Sequence, residues 1–375
     1  MEADDDVLAM LHDAAADFLA APRGAGEKRG AIGVPRRVDH AIWREMAGLG
    51  WIGLGLPESA GGIGLGLSGA TTLLELFGRN AFAEPYVAAA VIPSAILNAC
   101  GDSAAALELA ESLSTGDRLV TLAWQESFGE IDPVVGQTRL IDGQLVGTKR
   151  FVPAVEDILL VTAQEPAGEV IVAIAADADG VTVERHAAGN SHLAEVRFEN
   201  AKILHGAPLL RAEAVRPALH LALDAGRIAL SAQLAGIGAG CLEHTIHYVS
   251  GRIQFGRPIG SFQAIQHRCV DLYIASQLAD VSWRHALRLH EAAPGAADNA
   301  ASISASKARC SDAAMQIGKA AVQMHGAMGF TAESDTGLYL RAAMYYASWL
   351  GGSVAHRRRF LAMRLPAETP ELFDA

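Results

Sequence analysis

Apolar residues recur three and four positions apart through DVLAMLHDAAADFLAA, HAIWREMAGLGW and ATTLLELFGRNA, then through an Ala/Leu-rich run from Tyr86 to Leu113. This spacing predicts helices across the first 115 residues. Near residue 118 the period shortens. RLVTLAW, TRLIDGQLVGTKRFV, DILLVTAQ, EVIVAIAAD, GVTVERH and AEVRFENAKI are short apolar or alternating runs divided by turn residues, which predicts strands to about residue 206. The Asp142-Gly143 pair between TRLI and QLVG marks a hairpin. From about 210 the helical period returns in four long pieces, 211–250, 262–292, 300–325 and 334–364, with the polar stretch EAAPGAADNA at 291–300 as a turn. In the first piece Leu219, Leu223, Ile228, Leu230, Leu234 and Ile237 present one broad apolar face. The expected architecture is α+β and multidomain: an N-terminal α-helical domain (1–116), a central antiparallel β-barrel (117–208) and a C-terminal four-helix bundle (209–375).

Composition narrows the function classes. Lys+Arg 30 against Asp+Glu 42 leaves a formal charge of −12 and no broad basic face, which argues against nucleic-acid binding. Gly, His or charge interrupts every apolar run before it reaches membrane-spanning length, and the acidic start MEADDDVLAM is unlike a secretory signal. The expected location is therefore cytoplasmic, without a membrane. Cys100, Cys241, Cys269 and Cys310 are widely spread with no CxxC, the pattern of reduced, buried thiols. A literal GxGxxG at Gly64, Gly66 and Gly69 lacks the preceding strand and βαβ unit of a dinucleotide fold. His244 and His247, or His285 and His290, have no third ligand at metal-site spacing, so no metal is expected.

Two segments carry more specific information: GRIQFGRPIGSFQAIQHR at 251–268 and QMHGAMGF at 323–330. With IWREMAGLGWIGLGLPESAGGIG at 42–64 and GTKRFVPAVEDILLVTA at 147–163, they make nearly the whole chain resemble the acyl-CoA dehydrogenases. In that family a carboxylate removes the α-proton of an acyl-CoA thioester while hydride leaves the β-carbon for the flavin of FAD. The resemblance implies that the bundle clasps the adenine-diphosphate half of FAD across a dimer interface. By that resemblance Arg252 would face the pyrophosphate, flanked by Gln254 and Phe255, with Gln263, Gln323 and Gly326 completing the clasp. Ala327 stands where the family usually has a second glycine. Asp224 and Arg227 match residues of the acyl-CoA-contacting helix; at i and i+3 they also fit a surface ion pair.

On the flavin-ring side the pattern breaks. LAWQESFGEIDP at 122–133 puts Gln125 where a threonine commonly faces the flavin, and Pro153 replaces a second such threonine. Leu350 occupies the usual position of the glutamate base, and Gly226 its alternative position. Glu243, Glu333 and Asp335 are the acids left as substitutes. With the clasp intact and the base missing, the resemblance is to the companion subunit of actinobacterial α2β2 dehydrogenases, whose substrates are steroid-derived CoA thioesters. It implies a homologous catalytic subunit and electron-transfer flavoprotein or a similar acceptor as partners. A homomeric dehydrogenase with a relocated base, a flavin oxidase or monooxygenase on the same fold, and a flavin-free scaffold subunit remain open.

Overall fold

The computed structural model describes residues 2–21, 37–134, 136–186, 192–331 and 334–364. The chain folds as two compact units, one of residues 1–73 and 83–229 and the other of residues 74–82 and 230–375.

The first unit begins with helices α1 (Glu2–Ala20), α2 (His40–Gly48) and the start of α3 (Gly66–Arg79). Asp39 caps α2, its carboxylate accepting the Ala41 and Ile42 amides at 2.9 and 3.1 Å. The Ala/Leu-rich run is not one helix. A π-helical turn at Val87–Val91 leads into α4 (Ile92–Ala99), and Gly101 at φ +60° separates it from α5 (Ala104–Ser114). The π-turn follows from Pro93, which offers no amide hydrogen and crowds the preceding turn.

Eight strands follow: β1 (Val120–Ala123), β2 (Arg139–Ile141), β3 (Gln144–Pro153), β4 (Ile158–Glu165), β5 (Gly168–Ala175), β6 (Val181–Arg185), β7 (Leu193–Lys202) and β8 (Leu210–Arg211). Asp142 and Gly143, both at positive φ (49° and 76°), form the tight turn of the β2–β3 hairpin, as the Asp-Gly signal predicts. The sheet order is β6-β7-β3-β2-β4-β5-β8, with β1 also on β4. One feature differs from the antiparallel expectation: β1 and β2 both run parallel to β4, because residues 124–138 join β1 to β2 by a long loop instead of a hairpin. Pairings among the described strands form an open path rather than a closed ring. Leu145, Val161, Val172, Val196 and Phe198 lie in its buried core.

Helix α6 (Val215–Gly251) begins in the first unit and continues in the second, which also holds α7 (Gln263–Ala292), α8 (Ala297–His325), α9 (Thr336–Ser348) and α10 (Ser353–Arg364). Helix α8 packs against α7, α9 and α10. The single helix expected over 334–364 is two, because the chain turns at Leu350 (φ 56°) and Gly351 (φ 106°). The end of α3 meets α6 backbone to backbone: a Cβ at Gly236 would lie 2.0 Å from the Glu75 carbonyl oxygen, and one at Gly78 2.1 Å from that of Gln233. Among the described residues no helix is long and apolar enough to cross a membrane, and no cluster of three metal-ligating side chains occurs. All four cysteines are free, Cys241 and Cys310 buried and the other two half-buried.

Candidate cofactor clasp and base position

Helix α6 ends at Gly251, and the chain turns at once into a two-stranded hairpin pairing Ile253–Gln254 with Arg257–Pro258. Phe255 (φ 55°) and Gly256 (φ 76°) make its tip. The hairpin is tied back at both ends, the Arg252 amide donating to Tyr248 O at 2.9 Å and the Ile259 amide to Arg252 O at 2.8 Å. Arg252 and Gln254 are exposed, the Phe255 ring is 93% exposed, and Gln263 opens α7 from an exposed position. The Arg257 guanidinium lies over the Phe262 ring at 4.1 Å.

Helix α8 ends at His325, and Gly326 adopts φ 61°, ψ −135°. A Cβ there would meet nothing within 4 Å, so it is the backbone conformation that calls for glycine, and its surroundings stay open to a ligand. Gln323 and Ala327 are exposed. All six residues expected to clasp FAD thus lie in the second unit, exposed, and offer a guanidinium, carboxamides, an aromatic face and open backbone. That donor set fits a diphosphate and a heteroaromatic ring.

Beneath the clasp is a stack of which the sequence pattern announces only a packed His325. The Tyr248 and His325 rings are 4.1 Å apart, and His244 stacks on His325 at 5.2 Å. His325 Nδ1 donates to Ala321 O at 2.8 Å, which leaves Nε2 as the acceptor nitrogen, buried and without a hydrogen-bond partner among the described residues. Burial pushes the His325 imidazole below its ordinary pKa, outweighing the hydrogen bond to Ala321 O, which raises it.

In the first unit, the loop after β1 keeps its donors to itself. Gln125 Nε2 donates to the Ser127 and Glu130 carbonyls at 3.1 and 3.4 Å, the Glu126 amide to Glu130 Oε2 at 2.9 Å, and the Arg150 amide to Gln125 O at 2.8 Å. Pro153 pairs with Leu193 in the β3–β7 ladder and donates nothing. Phe128, 91% exposed, meets Phe151 edge-on at 6.1 Å, with Phe151 at φ 54°. Lys149, buried beneath this loop, donates to Glu126 Oε1 at 2.6 Å and Thr162 Oγ1 at 2.9 Å. Burial alone would raise the Glu126 carboxyl; hydrogen bonds from Lys149, the Gln137 amide and Thr138 outweigh it and hold the pKa at about 2. Burial draws the Lys149 ammonium below its ordinary value.

Asp224 and Arg227 are not a surface pair. The Arg227 side chain is completely buried, donating to Asp224 Oδ1 at 2.6 Å, to Asp132 Oδ1 at 3.2 Å and to the Ile131 carbonyl. It therefore anchors the loop after β1 to α6. Gly226, beside it, is buried.

Leu350 is buried and left-handed in backbone. Its corner is held by two interior side chains: Lys307 Nζ donates to the Tyr346, Ala347 and Gly351 carbonyls at 3.0, 3.1 and 3.1 Å, and His356 Nε2 to Leu350 O at 3.0 Å. Neither Lys149 nor Lys307 is legible in the sequence as part of a site, since nothing local announces a buried ammonium; only its oxygen partners do. Of the candidate substitute acids, Glu243 is 79% exposed and 3.8 Å from the Arg79 guanidinium. Asp335 precedes α9, and Glu333 lies outside the described residues.

The acyl-CoA dehydrogenase N-terminal domain profile matches residues 5–116 and the C-terminal domain profile residues 217–365. The chain is 30% identical over 346 residues to the acyl-CoA dehydrogenase FadE27 of Mycobacterium tuberculosis, covering 89% of this chain and 90% of that protein. Among solved structures it resembles a Tcur3481–Tcur3483 steroid ACAD variant (28% identity, TM-score 0.85, 96% and 98% coverage). It also resembles the ChsE4–ChsE5 complex of M. tuberculosis (25% identity, TM-score 0.83, 98% and 99% coverage).

Proposed function

Because this chain belongs to the acyl-CoA dehydrogenase family, we propose that it is the companion subunit of an FAD-dependent α2β2 dehydrogenase. In this reading it completes the FAD site of a homologous catalytic subunit instead of supplying a base. The observation that carries it is an asymmetry: the six clasp residues stand exposed, whereas position 350 holds a buried leucine and Gln125 and Pro153 direct no donor outward. Structural relatives named as a two-protein steroid dehydrogenase and a two-protein complex support the heteromer, and a steroid-derived CoA thioester as substrate.

Acyl-CoA dehydrogenases are FAD-dependent, and the flavin, when bound, supplies the hydride acceptor. This chain's part is to bind and orient: Arg252 offers a permanent, forked positive charge to the diphosphate, Gln254 and Gln323 their carboxamides, and Phe255 a face for the adenine. Proton abstraction falls to the partner subunit, since neither Leu350 nor Gly226 can accept a proton. Asp224 and Arg227 act on the substrate side indirectly, by holding the loop after β1. The division of labour is helical residues 1–116, sheet residues 117–208 and clasp-bearing residues 209–375. Electrons leave through electron-transfer flavoprotein or a similar acceptor.

Association is favoured by an exposed apolar stripe on α7, formed by Val270, Tyr273, Ile274, Leu278 and Val281 at helical spacing. The test is co-expression with a homologue bearing the glutamate. The expected product is a yellow heteromer that oxidises acyl-CoA, with this chain alone inactive. A yellow homotetramer of this chain reducing a dye with acyl-CoA would overturn the proposal.

A further inference from the structure

We propose that Tyr248 and His325 form a strut that sets the separation of the two clasp segments, making them positioning residues for FAD. This rests on the clasp reading above. The two segments are far apart in sequence, one following α6 and the other ending α8, and each is short: a two-stranded hairpin at Ile253–Pro258 and a 3-10 turn at Gly326–Phe330. Tyr248 touches both. Its carbonyl accepts the Arg252 amide at 2.9 Å, one helical turn on, which fixes where the hairpin leaves α6. Its hydroxyl donates to His325 O at 3.3 Å, the carbonyl at the C-terminal end of α8 from which the Gly326–Phe330 turn departs. Its ring lies on the His325 ring at 4.1 Å and 21°.

His325 completes the strut from the other side. It is the residue before Gly326, and its Nδ1 hydrogen bond to Ala321 O holds the ring flat against Tyr248 and fixes its tautomer. His244 stacks on the ring at 5.2 Å with the planes 9° apart, so the imidazole meets two flat groups from α6. A plain core contact would not require this arrangement: the buried, unpartnered Nε2 is a penalty that an apolar side chain would avoid. The stack registers α6 against α8 at the point where both chains turn outward with Arg252 and Gln323.

The test uses the co-expressed heteromer and two readouts, the rate of FAD release followed by flavin fluorescence and hydrogen exchange of residues 252–259 and 323–330 in the flavin-depleted complex. Tyr248→Phe, which keeps the ring and loses the hydroxyl, should speed release about threefold; Tyr248→Leu should speed it about thirtyfold, with subunit association unchanged. His325→Phe, which keeps a flat ring and loses the Nδ1 bond to Ala321 O, should speed release about threefold, whereas His325→Ala should behave like Tyr248→Leu. In the depleted complex Tyr248→Leu should expose both segments to exchange together. Arg252→Ala separates the two ideas. If it releases FAD at least tenfold faster while the Tyr248 variants match native, the strut is refuted and the clasp stands. If Arg252→Ala leaves release unchanged, the clasp reading fails, and exchange decides the strut alone: one segment deprotected without the other refutes it.

Discussion

Lys149→Met offers the sharpest test of how the loop after β1 is held. The ammonium is 1% exposed and its partner carboxylate 12% exposed, so neither charge is satisfied by water. Removing the lysine deletes the 2.6 Å bond to Glu126 and the bonds to Thr162 Oγ1 and Trp124 O at 2.9 and 3.3 Å. Glu126 keeps three donors, the Gln137 amide and the amide and hydroxyl of Thr138. The cost therefore falls at the lower end of that for breaking a buried pair, about 3 kcal/mol. The depression of Glu126 from its ordinary 4.5 to about 2 is the joint work of Lys149, the Gln137 amide and Thr138, so only part of it is lost with the lysine. The pH dependence has a definite sign. A carboxyl whose folded pKa is depressed contributes its full stability above 4.5 and loses it as pH falls toward about 2. Urea unfolding of the full chain at pH 7 and pH 3 should show Lys149→Met less stable by about 3 kcal/mol at pH 7 and the gap narrowing at pH 3. The double variant Glu126→Gln/Lys149→Met should cost at least about 1 kcal/mol less than the two single losses combined. Strict additivity, or a Lys149→Met loss under about 0.5 kcal/mol, would refute the coupled pair.

Three further outcomes are expected. Gly236→Ala, which places a methyl 2.0 Å from the Glu75 carbonyl oxygen, should destabilise the chain by about 3 kcal/mol in thermal unfolding, whereas Gly251→Ala, with nothing within 4 Å, should cost under about 1 kcal/mol. Leu350→Glu alone should leave the isolated chain inactive with acyl-CoA and dye, because Gln125 and Pro153 still present no donor; substantial turnover would show that the base was the only missing part. The His325 imidazole, lowered by burial, should make stability fall as pH drops below its ordinary 6.5 toward its folded pKa. The groups facing it are His244 and Tyr248 on α6, with Tyr339 of α9 and the Arg79–Glu243 pair beyond His244. His325→Phe should flatten that dependence in denaturation monitored from pH 7 to 5.

Local pattern carried much of this protein. Apolar spacing distinguishes helix from strand because burying one face of either element needs only neighbours a few residues away. The Asp142-Gly143 turn was legible for the same reason, since two residues at positive φ define it. The motif segments 251–268 and 323–330, and the inability of Leu350 and Gly226 to accept a proton, are likewise matters of residue identity. Tertiary structure decided what depends on distant partners. Periodicity continues through 334–364, yet the helix breaks where Lys307 and His356 hold the Leu350 corner from other turns of the chain. Arg227 and Asp224 look like a surface pair at i and i+3 until the loop carrying Asp132, 95 residues earlier, closes over the guanidinium. Tyr248 and His325, 77 residues apart, have no shared signal in the sequence. Their meeting follows from how α6 and α8 pack, and packing selects a pairing only once both helices exist, because side-chain chemistry alone does not encode distance.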